Sequence, residues 1–295
     1  MLVLLVLLRP DSATASLSAG LVDGSTSPAA QPLSVVASIF PLGDVTRRIG
    51  GDAIRVEVLL PPGAEPHGFE PKPAQAEMLA KADVLVTVGL GLDVWADRLA
   101  EAAGRSHLLR VELARSMGEE MPGGPTSDPH VWLDPVVMSA FTAEVARVLL
   151  SLRPDAAEGI SARAAAYRAE LDSLDHAYRS RLSAVPGRAF VTLHAAFRYI
   201  AARYGLNQVS LFDPEMHEPG PRGVERVIRF IRTEKVKAIF VQPQLPMSAV
   251  AALREETGVR VLTLDDLGNP LLSGYDSYLA MMRSNLDALV QGLGE

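Results

Sequence analysis

The stretch "PDAAEGISARAAAYRAELDSLDHAYRSRLSAVP", residues 154–186, separates two sets of alternating strand and helix patterns. Pro154 suits the first turn of a helix, and Pro186 suits a stop. Six apolar side chains recur at helical spacing and form one stripe: Ile160, Tyr167, Leu171, Leu174, Tyr178 and Leu182. The stretch therefore predicts a single helix over residues 155–184, about 45 Å long at about 1.5 Å per residue, which joins two lobes stiffly.

The residues before this helix contain four apolar, β-branched runs, which predict strands over residues 33–40, 54–60, 82–89 and 106–113. Helical patterns over residues 74–81 and 94–103 lie between them. Because the strands are continuously apolar rather than alternating, they predict a parallel sheet that is covered on both faces.

The residues after the helix repeat the pattern, with strands predicted over 188–193, 207–212, 236–241 and 259–264. Helices are predicted over 195–204, 222–234, 246–257 and 275–293. Gly205 and Gly258 fall where helix ends favour a residue tolerant of positive φ. The predicted fold class is α/β: two lobes, residues 33–154 and 187–295, each with a parallel sheet flanked by helices and bridged by the long helix.

The composition excludes several classes of function. The chain has 295 residues, 48% of them apolar, so it can bury ample core. Its net charge is −7 and it has no run of five basic residues, so a nucleic acid is not an expected partner. It has no cysteine, which excludes a thiolate nucleophile, a cysteine zinc cluster, a disulfide framework and a lipidated cysteine.

The N-terminus has the features of a secretory signal. The apolar run "LVLLVLL" at residues 2–8 is far shorter than the roughly 20 residues of a spanning helix, and "SATAS" follows it closely. Residues 1–15 are therefore predicted to be a signal peptide and residues 16–32 a flexible leader, which predicts a periplasmic protein.

Four metal-binding side chains follow predicted strands. His67 follows the strand at 54–60, His194 directly follows the strand at 188–193, Asp265 directly follows the strand at 259–264, and His130 lies in the loop "DPHVWLDP" after the first lobe's last strand. Ligands collect beyond the carboxyl ends of strands in open parallel sheets. Three imidazoles and one carboxylate would complete a tetrahedral shell around a divalent ion.

The spacing of these residues does not by itself show that they form one metal site. They are 63, 64 and 71 positions apart and can meet only if the two lobes face each other. Each histidine has the alternative of being a packed ring in a loop or core. If His130 is a ligand, its second ring nitrogen needs a partner, for which Asp128 and Asp134 are candidates. Glu65 and His217 are candidates for a supporting role.

Several separate motifs resemble the zinc and manganese solute-binding proteins of bacterial ABC importers. They are "PHGFEPKPAQAEMLAKADVLVTVGLGLDVW", "DPHVWLDP", "TLHAAFRYIAARYGL", "VKAIFVQPQ" and "TLDDLG" followed by "YLAMMRSNLDAL", and they span residues 33–294. The resemblance implies two α/β lobes bridged by one long helix. It also implies a metal in the cleft whose ligands are His67, His130, His194 and Asp265, and a membrane permease as partner of a monomeric carrier.

The resemblance favours Zn²⁺ as the transported ion. Manganese members commonly have a glutamate at the third ligand position, where this chain has His194. Nitrogen-rich shells suit zinc, whereas manganese prefers more oxygen. The loop before His130 is short and lacks the additional histidines of many zinc members. A manganese carrier, an adhesin with a structural metal and a zinc metallohydrolase with Glu65 as base remain the alternatives, although no enzyme motif is complete.

Overall fold

The computed structural model describes residues 31–118, 127–185, 187–212, 221–244 and 248–294. The predicted signal peptide lies outside these ranges, as do nearly all of the predicted leader and the candidate residue His217.

The first lobe is built on four parallel strands in the order β2-β1-β3-β4. The strands are β1 (Leu33–Ala37), β2 (Ile54–Val58), β3 (Val84–Thr87) and β4 (Leu109–Glu112). The helices of this lobe are α1 (Phe40–Gly50), α2 (Pro73–Ala80), α3 (Val94–Ala102) and α4 (Pro135–Leu152). Successive side chains of β1 enter two different cores: Val36 packs with Leu79 and Ala96, whereas Val35 packs with Leu42 of α1. Helices therefore cover both faces of the sheet.

The second lobe repeats this topology, with parallel strands in the order β6-β5-β7-β8. The strands are β5 (Ala189–Thr192), β6 (Asn207–Ser210), β7 (Ala238–Val241) and β8 (Arg260–Thr263), and the helices are α6 (Arg198–Arg203), α7 (Pro221–Thr233), α8 (Ser248–Thr257) and α9 (Tyr278–Gly294). Gly205 and Gly258 have φ of 69° and 70°, as their predicted positions at helix ends require.

A helix of 26 residues, α5 (Ala157–Leu182), bridges the lobes. All six residues of the predicted stripe are buried, together with Ala164. Near its start, Arg163 Nε donates to the carbonyl of Ile49 in α1 at 2.8 Å. Near its end, the Tyr178 hydroxyl donates to the carbonyl of Met282 in α9 at 2.7 Å. The predicted fold class of two sheet-containing lobes joined by one helix is confirmed.

Two helices were not predicted from the sequence. The strand predicted over 33–40 ends at Ala37, because α1 begins at Phe40 with a proline in its first turn. Helix α4 was missed entirely, although Asp134 caps it by accepting a hydrogen bond from Val136 N at 3.0 Å and Pro135 occupies its first position. By length and composition alone α4 could cross a membrane, but 56% of it is buried inside this fold.

Candidate metal centre

His67 lies in the long loop between β2 and α2. Its backbone N–H donates to Glu65 Oε1 at 3.2 Å, and Trp95 Nε1 donates to the carbonyl of the adjacent Pro66 at 3.1 Å. The prolines Pro61, Pro62 and Pro66 fix φ along the loop and leave few conformations open to it. The His67 side chain is 13% exposed, which makes it the most accessible of the three histidines predicted to meet.

His130 is fully buried and is held by Asp128. The Oδ1 atom of Asp128 lies 2.7 Å from His130 Nδ1 and also accepts from the His130 backbone N–H at 3.0 Å. Because a carboxylate accepts rather than donates, Nδ1 carries the ring proton and Nε2 keeps its lone pair. Of the two acids predicted as candidates for this contact, Asp134 instead caps α4 and pairs with Arg203.

His194 follows β5 by two residues and is 1% exposed. Its carbonyl accepts hydrogen bonds from Thr192 Oγ1 at 2.6 Å and from Gln208 Nε2 at 3.2 Å, which fix the backbone where the strand ends. Its Nδ1 lies 3.7 Å from Asp266 Oδ2. An inner strand of the second sheet, β5, therefore leads directly to this imidazole.

The three imidazoles meet. One ring nitrogen of each of His67, His130 and His194 lies within 4.8 Å of the others, and the Nε2 atoms of His67 and His130 are 3.2 Å apart. The ring centroids are separated by 5.1, 5.2 and 4.6 Å. Three imidazoles bound at about 2.0–2.1 Å to one tetrahedral ion would have their centroids roughly 5 Å apart. The cluster therefore has the geometry that one zinc-sized ion requires.

Asp265 is not one of the described residues whose donor atoms all lie within 4.8 Å of each other. Its Oδ1 accepts from the backbone N–H groups of Leu267 and Gly268, at 3.0 and 3.1 Å, and from Gln244 Nε2 at 3.1 Å. Asn285 binds the Asp265 backbone on both sides, donating to its carbonyl and accepting from its N–H. The structure thus brings together three of the four predicted site residues, and the carboxylate that lies against His194 is that of Asp266 rather than Asp265.

Burial sets the charge of the site. Burial, and then repulsion from His130 and His194, lowers the pKa of His67 from 6.5 to about 3. Burial also lowers the pKa of His130. For Glu65 and Asp265, burial raises the pKa of the carboxyl, and the negative charge of Asp266 raises it further. His67 and His130 are therefore held as neutral imidazoles, and the carboxyls of Glu65 and Asp265 are destabilised as anions by burial and by the charge of Asp266.

Sequence reasoning missed one residue at this site, Asp266, which is 5% exposed and lies against His194. Its neighbour Asp265 was selected because it follows the strand predicted over 259–264. The adjacent acid in "TLDDLG" was the sequence signal that could have identified Asp266. The remaining described histidines, His107 and His176, are exposed and lie away from the cluster, as expected.

The two-lobed fold and the three-imidazole cluster define a class, the solute-binding proteins that carry metal ions. Residues 35–292 match the family described as zinc-uptake complex component A, periplasmic (ZnuA), and the chain belongs to that family. The resemblance noted from the sequence motifs is confirmed.

Relatives within this class differ in the metal that their names state. The chain is 31% identical over 285 residues to the manganese-binding lipoprotein MntA of Halalkalibacterium halodurans, covering 94% of this chain and 93% of that protein. It is 30% identical over 282 residues to the zinc-binding lipoprotein AdcA of Streptococcus pneumoniae, covering 88% of this chain but 55% of that longer protein. The fold is similar to the periplasmic zinc binding protein TroA of Treponema pallidum, with a TM-score of 0.81, 26% identity, and coverage of 89% of this chain and 99% of that chain.

Proposed function

We propose that this protein binds Zn²⁺ in the cleft between its lobes and delivers the ion to the membrane permease of an ABC importer. The observation that carries the proposal is the buried cluster of His67, His130 and His194, whose nitrogens lie within 4.8 Å of one another. In this proposal the three imidazoles are ligands and Asp265 supplies the fourth. Asp265 has one carboxylate oxygen engaged by backbone N–H groups, so its other oxygen is the one for the ion.

The donor set favours zinc over manganese. Three neutral nitrogens and one oxygen match the four-coordinate shells that zinc accepts, whereas manganese prefers sites richer in oxygen. The relative MntA, named as manganese-binding, keeps manganese as the alternative cargo. Competition between Zn²⁺ and Mn²⁺ for the chelated and dialysed protein separates the two, and preference for Mn²⁺ would overturn the choice of zinc.

The proposed setting is the periplasm, with residues 1–15 as the signal peptide and residues 16–32 as a flexible leader. The carrier is proposed to be a monomer without nucleic-acid partners and without an enzymatic activity of its own. Its lobes at 33–154 and 187–295 contribute two ligands each, and the helix at 155–184 joins them.

The direct test is calorimetric titration of zinc into the apo protein, with His130→Ala and His194→Ala measured beside it. Wild-type protein should bind one ion, and both variants should bind it far more weakly. Equal affinity in all three proteins would overturn the proposal. Elemental analysis of protein purified without added metal identifies the ion it acquires.

A second candidate function, a zinc metallohydrolase, is favoured by one observation: Glu65 Oε1 lies 3.9 Å from His67 Nε2, near enough to act as a base beside an open shell. A catalytic zinc needs an open position and a nearby base. This candidate predicts that the zinc-loaded protein hydrolyses an activated ester and that Glu65→Gln abolishes the reaction. Hydrolysis no faster than that by free zinc would exclude it.

A further inference from the structure

Two buried aspartates lie against two of the three imidazoles. Asp128 Oδ1 is 2.7 Å from Nδ1 of His130, and Asp266 Oδ2 is 3.7 Å from Nδ1 of His194. In both cases the aspartate faces Nδ1, and for His130 the opposite nitrogen, Nε2, faces the cluster. Asp128 is 4% exposed and Asp266 is 5% exposed, so water competes little for either carboxylate.

The backbone around Asp266 is fixed from several sides. Trp132 Nε1 donates to the Asp266 carbonyl at 2.5 Å. The neighbouring Asp265 is held by Asn285 of α9, and its side chain accepts the N–H of Leu267 on the other side. The backbone that carries the Asp266 carboxylate is therefore fixed beside His194.

Asp128 is equally constrained. Its carbonyl accepts from the Tyr199 hydroxyl of α6 at 2.7 Å, so the second lobe holds the residue that orients a first-lobe histidine. Asp128 Oδ1 contacts both the backbone N–H and the ring Nδ1 of His130, so two hydrogen bonds to one oxygen hold the His130 side chain against its own backbone. This arrangement fixes the ring orientation before any ion arrives.

We propose that Asp128 and Asp266 are positioning residues, each of which accepts a hydrogen bond from Nδ1–H of a metal-binding imidazole and thereby aims Nε2 at the ion. The inference rests on the proposed function. A ligand histidine is commonly oriented in this way, and the carboxylate also makes the ring a stronger donor to the metal. The two contacts differ: the one to His130 is formed without metal, and the one to His194 tightens when a cation polarises the ring.

The first test reads the imidazole tautomers by long-range ¹H–¹⁵N NMR of the wild-type protein. In the apo protein, His130 should show a protected proton on Nδ1. After addition of ZnCl₂, His194 should show one as well. A His130 ring protonated on Nε2 in the apo protein would overturn the role of Asp128, and a zinc-loaded His194 without a protected Nδ1–H would overturn that of Asp266.

The second test measures zinc affinity by chelator competition in Asp128→Asn and Asp266→Asn. Losing such a partner typically weakens metal binding about 10–100-fold. We expect the larger loss for Asp128→Asn and a loss of about tenfold for Asp266→Asn. Asp276→Asn is the matched control, because it makes the same substitution and removes one negative charge at an exposed position ten residues after Asp266.

The outcomes separate this inference from the proposed function. If wild-type protein takes up no zinc, the proposed function fails, and the apo NMR spectrum still decides the role of Asp128. If wild-type protein binds zinc while both variants bind it as tightly as Asp276→Asn does, the proposed function stands and the positioning role is wrong. Chemical denaturation of each apo variant shows whether a weaker site reflects an altered fold.

Discussion

The loops that carry His67 and His130 bring their Nε2 atoms within 3.2 Å, yet they are held in different ways. The His130 segment, residues 127–134, is bound from the second lobe by Tyr199, Arg203 and Tyr278. For the His67 loop, the described hydrogen bonds come from its own lobe, chiefly from Trp95 and Gln75. The comparison teaches that one proposed ligand, His130, is built into the junction of the lobes. The other, His67, lies on a more accessible loop and is the one that we expect to move when an ion enters.

The largest expected effect is on stability, from breaking the ion pair that holds the His130 segment to the second lobe. Asp134 is fully buried and accepts from Arg203 Nε at 2.6 Å. Arg203→Met leaves a buried carboxyl without its partner, which should lower the free energy of unfolding by about 3–5 kcal/mol. Urea denaturation of the apo protein measures this loss.

The matched control for this variant is Arg232→Met, which breaks the pair with Glu256, in which both side chains are 60% exposed. It should cost about 1 kcal/mol or less. If the two variants lose equal stability, the His130 segment is not anchored by the second lobe in the way described.

The next effect concerns the two proposed ligands, His130 and His67. Binding of about 10–16 kcal/mol shared among four ligands gives roughly 3 kcal/mol for one, or about 100-fold in affinity. We expect His130→Ala to lose at least this much, because nothing can replace a fully buried, oriented imidazole. The loss of zinc affinity for His67→Ala should be about tenfold smaller, since water can reach its partly exposed position and replace the missing ligand. Zinc affinity by chelator competition ranks them, and a greater loss for His67→Ala would reverse the comparison.

Acid should destabilise the apo protein through His67 and His130, because folding lowers the pKa of both side chains. The pKa of His67 falls from 6.5 to about 3 on folding, so between these pH values the unfolded chain binds a proton that the folded chain does not. Stability due to this group is therefore complete above pH 6.5 and is lost as the pH falls, by about 2 kcal/mol at pH 5. Urea denaturation at pH 7 and pH 5 measures the loss.

Buried carboxyls such as Asp265, whose pKa is raised, act in the opposite direction. The informative quantity is therefore the difference between wild type and His67→Gln, which should be less sensitive to acid. Exposed His176→Gln should behave like wild type. An unchanged response in His67→Gln would show that His67 is not held neutral by the fold.

The smallest effect uses the chain's two tryptophans, of which Trp132 lies within the His130 segment and Trp95 contacts the His67 loop. Trp132→Phe removes the donor to the Asp266 carbonyl and Trp95→Phe removes the donor to the Pro66 carbonyl. Each should cost about 0.5–1.5 kcal/mol of stability, with the greater cost at the fully buried Trp132. Thermal denaturation compares the variants, and a larger cost at Trp95 would show that the His67 loop is the more firmly held of the two.

The sequence was most informative where one physical signal dominated. All eight strands and the bridging helix were predicted, because buried parallel strands are continuously apolar and α5 has an amphipathic stripe. Helix α4 escaped because ten of its eighteen residues are buried and its pattern lacks a clear polar face. Its cap, Asp134 followed by Pro135, was the remaining signal.

The site shows the same limit. Strand ends and the family motifs selected His67, His130 and His194, and the fold brings them together. What the sequence could not show is how neighbouring acids divide their contacts. Asp134 lies four residues after His130 and Asp128 two residues before it, but in the folded protein Asp134 binds Arg203 of α6 and Asp128 binds His130. Asp265 and Asp266 are likewise adjacent, and the turn at Leu267 decides which faces His194.

The bridging helix has a consequence for recognition by a partner. Because α5 is anchored by buried side chains along its whole length, to α1 at one end and α9 at the other, a large swing of the lobes would have to break its packing. We therefore expect the loaded and empty molecules to have almost the same outline. A membrane protein that accepts one and rejects the other would then have to sense local differences at the partly exposed His67 loop rather than the overall dimensions of the carrier.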